Sequence, residues 1–243
     1  MKDSTFKVLT NKKIAKNTYE MTMAGDTSHI TAPGQFVNIK LDGFYLRRPI
    51  SVCNVEGDVL TLIYKVVGKG TEAMAEMTGG EELLTLTGLG NGYDTEKSGD
   101  APLLVGGGAG VPPMYLLCRE LVKMGKKPTV ILGFGSADEV FYEEEFKALG
   151  ADVLVTTVDG TYGIKGFVTD ALAGLNPSHF YTCGPEPMLK ALYDKTECSG
   201  SFSFEERMGC GFGACMGCSC KTKYGNKRIC RDGPVLEKEE IIW

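Results

Sequence analysis

The segment PLLVGGGAGVPPMYLLCRELVKMG, residues 102–125, runs from apolar residues through a glycine cluster into a stretch of helix-forming residues. That order predicts a buried β-strand, a tight turn and an α-helix. The glycines let the chain turn sharply and let a phosphate reach the free N–H groups at the start of the helix. Pro112 and Pro113 suit the first helical turn, where no N–H donor is needed. The segment predicts a nucleotide-binding unit, whose candidate residues are Gly106, Gly107, Gly108 and Gly110.

The glycine turn does not match the strict G-x-G-x-x-G dinucleotide pattern, because Val111 occupies the position of the third glycine. A tight turn that binds no ligand therefore stays open as an alternative. A second strand end, YTCGPEPM at residues 181–188, is predicted at the same edge of a parallel sheet, where such sheets bind their ligands. From its chemistry alone, Cys183 in this segment is most simply a buried thiol.

The regions on either side of this unit have different patterns. Strands and helices alternate over residues 99–200, which predicts a parallel, doubly wound sheet. Residues 1–98 contain six short segments separated by Gly, Pro, Asn and Asp, which predicts an antiparallel β-barrel with one helix at residues 71–77. Residues 201–243 are too rich in loops to fold without a cross-link such as a bound metal. We predict three domains with these bounds. The predicted strands after the glycine turn are 129–135, 151–159 and 179–184, and the helices are 137–150, 166–175 and 185–196.

Charge and hydropathy exclude several functions. The net charge of −5 provides no basic field for nucleic acid or anionic lipid. The N-terminus MKDSTFKVLTNKK has no apolar core of a signal peptide, and no apolar run approaches membrane-spanning length. We therefore expect a cytoplasmic protein that binds neither nucleic acid nor membrane. No Lys or Arg occurs from Thr129 to Glu145, where a strand end would face the adenosine ribose, so NAD is favoured over NADP.

Five of the nine cysteines fall between positions 210 and 230. In a reducing compartment such a dense group indicates metal binding rather than disulfides. The C-x4-C-x2-C spacing with a distant fourth cysteine is typical of a plant-type [2Fe–2S] site. The predicted ligands are Cys210, Cys215, Cys218 and Cys230, and we assign Cys220 to packing. A structural zinc site is the alternative, although zinc motifs usually contain two C-x2-C pairs.

A third candidate site lies in the predicted barrel, at Leu46-Arg47-Arg48-Pro49-Ile50-Ser51. Arg48 could donate paired hydrogen bonds to a pyrophosphate, and Ser51 could reach a flavin ring nitrogen. Gly70 and Thr71, at the start of the predicted helix, form a second candidate phosphate site. Taken alone, the arginine segment is more often a solvated loop.

These motifs together resemble a known superfamily. Arg48-Pro49-Ile50-Ser51 followed by Gly70-Thr71 is similar to the FAD site of the ferredoxin reductase superfamily, and the glycine turn and YTCGPEPM resemble its pyridine-nucleotide domain. The tail EERMGCGFGACMGCSC, with its CRDGP ending, resembles the electron-transfer subunits of class B dihydroorotate dehydrogenases. The resemblance covers essentially the whole chain.

The resemblance implies three cofactors: FAD, a [2Fe–2S] cluster and NAD. It adds Ile63, Tyr64 and Lys65 to the cofactor-binding residues, and it places Cys183, with Gly184 and Pro185, beside the nicotinamide. It implies an FMN-containing catalytic partner, in a heterotetramer of two subunits of each kind, that oxidises dihydroorotate in pyrimidine (UMP) biosynthesis. Electrons would cross the cluster singly to FAD and leave as hydride to NAD⁺. We predict no catalytic residue on this chain, and we expect His29 and His179 to be surface or structural residues.

Three other functions remain open from the sequence. The small subunits of NADH-dependent ferredoxin:NADP reductases and of related sulfide dehydrogenases share most of these motifs. The unbroken Gly-Val-Pro-Pro after the glycine turn and the short chain ends favour the dihydroorotate family. A stand-alone flavin reductase with a cluster, and a nucleotide-binding regulator stapled by zinc, are the alternatives from other classes.

Overall fold

The computed structural model describes residues 1–243, and its first part is a closed six-stranded antiparallel barrel. Leu83, Thr85, Thr87 and Leu89 alternate as buried residues along one strand, as expected where one face lines the interior. The predicted barrel is confirmed. Its strands, in the order β1-β2-β5-β4-β3-β6, are β1 (Lys2–Ala15), β2 (Thr18–Ala24), β3 (Phe36–Ile39), β4 (Arg48–Glu56), β5 (Val59–Lys65) and β6 (Glu82–Leu89), with helix α1 (Lys69–Ala75) after β5.

The second part is a seven-stranded sheet. From its first strand, β7 (Pro102–Gly107), the chain adds three parallel strands on one side. It then returns to the other side at β11 (His179–Cys183), so the direction of winding switches between β7 and β11. Helices α2 and α3 pack on one face and α4 on the other, which confirms the doubly wound prediction. The strands are β7 (Pro102–Gly107), β8 (Thr129–Phe134), β9 (Asp152–Thr157), β10 (Ile164–Lys165), β11 (His179–Cys183), β12 (Gly200–Ser203) and β15 (Val235–Glu237), and the helices are α2 (Val111–Lys123), α3 (Glu143–Ala148) and α4 (Glu186–Lys195).

Two predicted helices are much shorter than expected. In place of helix 137–150 there is a 3₁₀ turn, Ala137–Glu139, followed by α3, because Tyr142 adopts a left-handed conformation (φ 67°) and donates to Glu20 of the barrel. In place of helix 166–175 there is only a 3₁₀ turn, Val168–Leu172. Glycines with positive φ at both ends of that segment stop a longer helix from forming.

The tail is attached to the sheet of the second part. Strand β12 adds beside β11, and β15 pairs antiparallel with β12, so the predicted boundary at residue 200 falls at the start of a strand. Between them lie the hairpin of β13 (Ser219–Thr222) and β14 (Gly225–Arg228) and the short helix α5 (Ile229–Asp232). The division into three domains stays a prediction.

A pair of tyrosines links the barrel to the sheet. Tyr93, just after the barrel, donates to the Thr182 carbonyl at 2.9 Å, and Tyr181 of β11 donates back to the Asp94 carbonyl at 2.9 Å. The two rings meet edge to face, with centroids 5.6 Å apart. This reciprocal contact holds the barrel against the edge of the sheet where β11 ends.

No helix of the structure has the length and apolar character needed to span a bilayer.

Candidate functional site

The candidate flavin residues Arg48, Gly70 and Thr71 converge on one end of the barrel. The Arg48 guanidinium rests over the Phe44 ring, with Cζ 4.7 Å from the ring centroid, and lies against Gly70. A Cβ on Gly70 would be 2.5 Å from Arg48 Cζ, so only glycine permits this approach. The Thr71 hydroxyl accepts the Val67 N–H at 2.9 Å, which fixes the start of α1. A planar guanidinium beside free helical N–H groups fits a pyrophosphate.

Ile63, Tyr64 and Lys65 lie at the end of β5, on one side of a small cleft. Gly108 of the glycine turn lines the other side, so the barrel and nucleotide candidates meet there. The Ile63 and Tyr64 side chains are buried in the two adjoining cores. Their backbone and the Lys65 side chain are therefore the groups that can face a cofactor.

The glycine turn lies at the end of β7 and the segment Cys183-Gly184-Pro185 at the end of β11, so the two are neighbours where the direction of winding changes. Gly106 pairs directly with Cys183 in the parallel ladder of β7 and β11. A Cβ on Gly110 would overlap the Cys183 carbonyl, and one on Gly107 would lie 2.5 Å from Met188 Sδ. Gly108 has a left-handed φ of 51° and open space around its α-carbon. The missing side chains leave a cradle at the edge where doubly wound sheets bind nucleotides.

Cys183 is not poised as a nucleophile. Burial raises the pKa of its thiol to about 12, so the neutral form predominates at neutral pH. Its position beside the glycine turn is compatible with contact to a bound ring, which is the predicted role.

The end of β8 carries cations that the local sequence does not reveal. Lys16 of the barrel pairs with Asp138 at 3.0 Å, and Lys65 pairs with Glu139 at 3.1 Å. Two lysines of the barrel thus reach this strand end, although residues 129–145 contain no Lys or Arg. Each lysine already has a carboxylate partner, so neither stands free for a 2′-phosphate.

The predicted cluster ligands form two pairs on the tail. Backbone N–H groups point at the sulfurs: Ala214 and Cys215 donate to Cys210 Sγ at 3.2 and 3.4 Å, and Cys210 itself donates to Cys215 Sγ at 3.4 Å. In the second pair, the Cys230 N–H donates to Cys218 Sγ at 3.4 Å. No three His, Cys, Asp or Glu side chains are close enough together to hold one metal ion. A loop of N–H groups around thiolates is the donor set that a cysteine-ligated cluster uses.

The two pairs differ in electrostatics. Partial burial opposes ionisation of Cys210, but the backbone donors outweigh it and lower its pKa to about 6. Burial, together with the neighbouring Cys218, raises the pKa of Cys230 to about 12. Bound metal cations would offset the unfavourable interaction between Cys218 and Cys230 and would bind both as thiolates. Cys220, on β13, is half-buried against an apolar cluster, in line with a packing role.

The barrel strand that carries flavin candidates pairs with the strand that contacts the cluster loop. On β4, Pro49 lies opposite Asn38 of β3, and Ser51 lies opposite Phe36. Asn38 donates to the Cys210 carbonyl at 3.3 Å. Neighbouring strands are about 4.8 Å apart, so the loop that carries Cys210 is held one strand away from Pro49 and Ser51. Sequence analysis missed Asn38 and Phe36, because an Asn within an apolar strand carries no ligand signature.

A second contact holds the CRDGP segment against the barrel. Asn91, after β6, donates from its backbone to the Gly233 carbonyl and from its side chain to the Val235 carbonyl, each at 2.7 Å. The Val235 N–H returns a hydrogen bond to Asn91 Oδ1 at 3.1 Å. A Cβ on Gly90 would be 2.6 Å from Pro234 Cδ, so glycine is needed for this close packing. The loop after β6 therefore positions the segment that carries Cys230.

Two family models match parts of the chain. Residues 205–242 match the family model described as the iron–sulfur cluster binding domain of dihydroorotate dehydrogenase B, and residues 104–194 match the oxidoreductase NAD-binding domain. These matches confirm the predicted iron–sulfur and NAD-binding parts and favour a cluster over zinc.

The full chain has close relatives. The dihydroorotate dehydrogenase B (NAD⁺) electron transfer subunit of Bacillus pumilus is 46% identical, over 99% of this chain and 98% of that protein. The subunit of the same name from Fusobacterium nucleatum is 45% identical, over 95% of each chain. Among solved structures, a chain of the NADH-dependent reduced ferredoxin-NADP oxidoreductase is 30% identical, with a TM-score of 0.89 over 98% of this chain and 90% of that chain. A ferredoxin NADP⁺ reductase from Neisseria gonorrhoeae, with FAD and NADP bound, shares the fold at 18% identity and a TM-score of 0.68 over 80% of this chain and 90% of that chain.

Proposed function

Because the chain belongs to the family of dihydroorotate dehydrogenase B (NAD⁺) electron transfer subunits, we propose that it carries electrons from an FMN-containing dihydroorotate dehydrogenase subunit to NAD⁺. It is an NAD-linked oxidoreductase subunit, and its cofactors are FAD, a [2Fe–2S] cluster and NAD. The predicted family is confirmed. The proposed reaction belongs to pyrimidine biosynthesis, in which dihydroorotate is oxidised to orotate.

The observation that carries the proposal is the adjacency of the flavin and cluster candidates. Pro49 and Ser51 on β4 face the same side of the barrel as Asn38 and Phe36 on β3, and Asn38 bonds the Cys210 loop. Electron transfer between two centres needs a short separation, and the pairing of these two strands supports such a separation.

The residues of this chain bind and orient the three cofactors. When bound, FAD exchanges a hydride on one side and single electrons on the other, which neither NAD nor the cluster can do alone. Arg48 and the first turn of α1 hold the FAD pyrophosphate. The glycine turn and Cys183-Gly184-Pro185 hold NAD at the sheet edge. The backbone N–H groups around Cys210 and Cys215 point at the two sulfurs that would bind the cluster.

The partner supplies the chemistry on dihydroorotate. The relatives are electron transfer subunits by name, and such a subunit requires a catalytic one. We propose an FMN-containing subunit, with two copies of each chain in the complex. Cys215 is exposed, and the neighbouring Phe212 and Met216 are large apolar side chains that are also exposed. These features suit a surface that a partner covers over the cluster.

Reconstitution with a dihydroorotate dehydrogenase subunit tests the proposal. The chain is co-expressed with a candidate FMN subunit, and the purified complex is assayed for NAD⁺ reduction that depends on dihydroorotate. We expect orotate and NADH to form in equal amounts with the complex and neither to form with the isolated chain. A brown-yellow complex that contains FAD and iron but reduces no NAD⁺ with dihydroorotate contradicts this function.

The likeness to the NADH-dependent reduced ferredoxin-NADP oxidoreductase supports a second candidate, the small subunit of such an enzyme. In that case reduced ferredoxin, rather than dihydroorotate, would exchange electrons with the complex that forms around the chain. Copurification separates the two: a dihydroorotate dehydrogenase partner supports the first function, and a larger NADP-linked flavoprotein partner supports the second. Full turnover by the chain without a partner would instead support a stand-alone flavin reductase.

A further inference from the structure

Asn38 is an amide in the middle of an otherwise apolar strand, Phe36–Ile39. Its neighbours Val37 and Ile39 are fully buried in the barrel core, so Asn38 points to the outer face. It is nevertheless only 1% exposed, because the loop that begins at Cys210 covers it. Burying an amide is unfavourable unless it is hydrogen-bonded, so this position calls for a specific contact.

The contact is made with the cluster loop. Asn38 Nδ2 donates to the Cys210 carbonyl at 3.3 Å. Gly211 follows with a left-handed φ of 77°, and a Cβ there would overlap the Asn38 amide. The loop that carries the first cluster ligand therefore closes directly on Asn38.

Asn38 also touches the strand that carries the flavin candidates. It pairs with Pro49, next to Arg48, and its own carbonyl accepts a hydrogen bond from Arg47 at 3.3 Å. Asn38 Oδ1 is buried and has no hydrogen-bond donor among the protein atoms. This oxygen is therefore free to accept a hydrogen bond from a group bound beside the strand.

We propose that Asn38 is a positioning residue for electron transfer, which fixes the Cys210 loop against the flavin-binding strand and so sets the separation and orientation of cluster and flavin. The proposal rests on the proposed function, since it requires both cofactors on this chain. Asn38 is not a ligand. Its loss would let the loop shift while all four cysteines remain.

The test compares four forms of the chain in complex with its catalytic partner: wild type, Asn38→Leu, Asn38→Asp and Thr85→Val. Leucine fills a similar volume without a hydrogen bond, and aspartate keeps the shape without the N–H donor. Thr85→Val is the matched control, because Thr85 is fully buried on the neighbouring strand and bonds only the Leu83 carbonyl. Iron and FAD contents show whether each variant has bound its cluster and its flavin. Stopped-flow absorbance with NADH separates flavin reduction from cluster reduction, and EPR of the reduced cluster reports its geometry.

We expect both Asn38 variants to retain iron and FAD and to slow cluster reduction by about 10- to 100-fold, as outer-shell changes at metal sites do. Flavin reduction should be unchanged, the EPR g values should shift, and Thr85→Val should match wild type. A loaded Asn38→Leu protein with wild-type EPR and a wild-type cluster phase overturns the proposal. Loss of iron from both Asn38 variants also overturns it, because the residue would then support assembly rather than positioning. Wild-type protein without FAD or cluster overturns the proposed function, and this inference with it.

Discussion

The guanidinium of Arg48 lies directly against Gly70, although the two residues come from different elements of the barrel. A Cβ on Gly70 would approach Arg48 Cζ to 2.5 Å, and the arginine would have to move. The position of the Arg48 guanidinium thus depends on the absence of a side chain at Gly70 of helix α1.

Gly70→Ala should therefore weaken FAD binding without unfolding the barrel. Alanine suits a helix better than glycine, so α1 itself should tolerate the change. Displacing the Arg48 guanidinium removes its hydrogen bonds to the FAD pyrophosphate. Each hydrogen bond to a charged group contributes about 1.5–3 kcal/mol, or about 10- to 100-fold in affinity. FAD content and flavin titration measure the effect. Gly68→Ala is the control, since a Cβ at Gly68 has open space.

Cys215→Ser should remove the cluster, whereas Cys220→Ser should keep it. The N–H groups of the loop point at Cys210 and Cys215, and Cys220 instead packs among apolar side chains. We expect about two irons per chain in wild type and in Cys220→Ser, on the composition of a [2Fe–2S] centre. Iron analysis and visible absorbance measure how much cluster each protein retains. Retention of iron by Cys215→Ser would sink the ligand assignment.

Gly110→Ala should impair NAD binding while FAD is retained. A Cβ at Gly110 would overlap the Cys183 carbonyl, which is backbone and cannot rotate away. The glycine turn and the Cys183 segment would be pushed apart, and misplacement of this size costs about 10- to 100-fold. We expect the KM for NADH to rise, as measured with an artificial electron acceptor. Gly125→Asn, at the far end of α2, is the control, because its surroundings are open and asparagine tolerates the left-handed φ of 78°.

His179 should make the stability of the protein fall in mild acid. The ring is buried between the hydroxyls of Ser199 and Ser201, at 2.8 and 3.0 Å. Burial, reinforced by the charge of Lys97, lowers its pKa from 6.5 to about 4. The unfolded chain therefore binds the proton first, and stability present above about pH 6.5 is lost as the pH falls towards 4.

The expected loss from this one group is about 2 kcal/mol at about pH 5. His179→Asn keeps a polar side chain but cannot titrate, so its unfolding free energy should fall less between about pH 7.5 and pH 5 than that of wild type. Chemical denaturation at the two pH values measures the difference. Equal falls in both proteins would assign the acid sensitivity to other groups.

Local patterns predicted most of the elements correctly and misjudged two. The alternation of strand and helix after Gly106 reflects burial on both faces of the sheet, so the parallel sheet followed from the sequence. Helix 137–150 failed because Tyr142 is held by a hydrogen bond to Glu20 in the barrel, and no pattern within the segment reports a contact so distant in sequence. Lys16 was missed for the same reason, since it reaches Asp138 from another part of the fold.

The order of the C-x4-C-x2-C spacing, the glycine turn and the Arg48–Ser51 motif along the chain was enough to predict the cofactors and the family, because each is a local pattern suited to one chemistry. The relative positions of the flavin strand and the cluster loop, by contrast, depend on the three-dimensional fold. Asn38 and Cys210 are 172 positions apart, and they meet because strand register in a closed barrel sets which residues face the tail. Register arises from the pairing of whole strands, so a contact between the flavin strand and the cluster loop cannot be read from either segment alone.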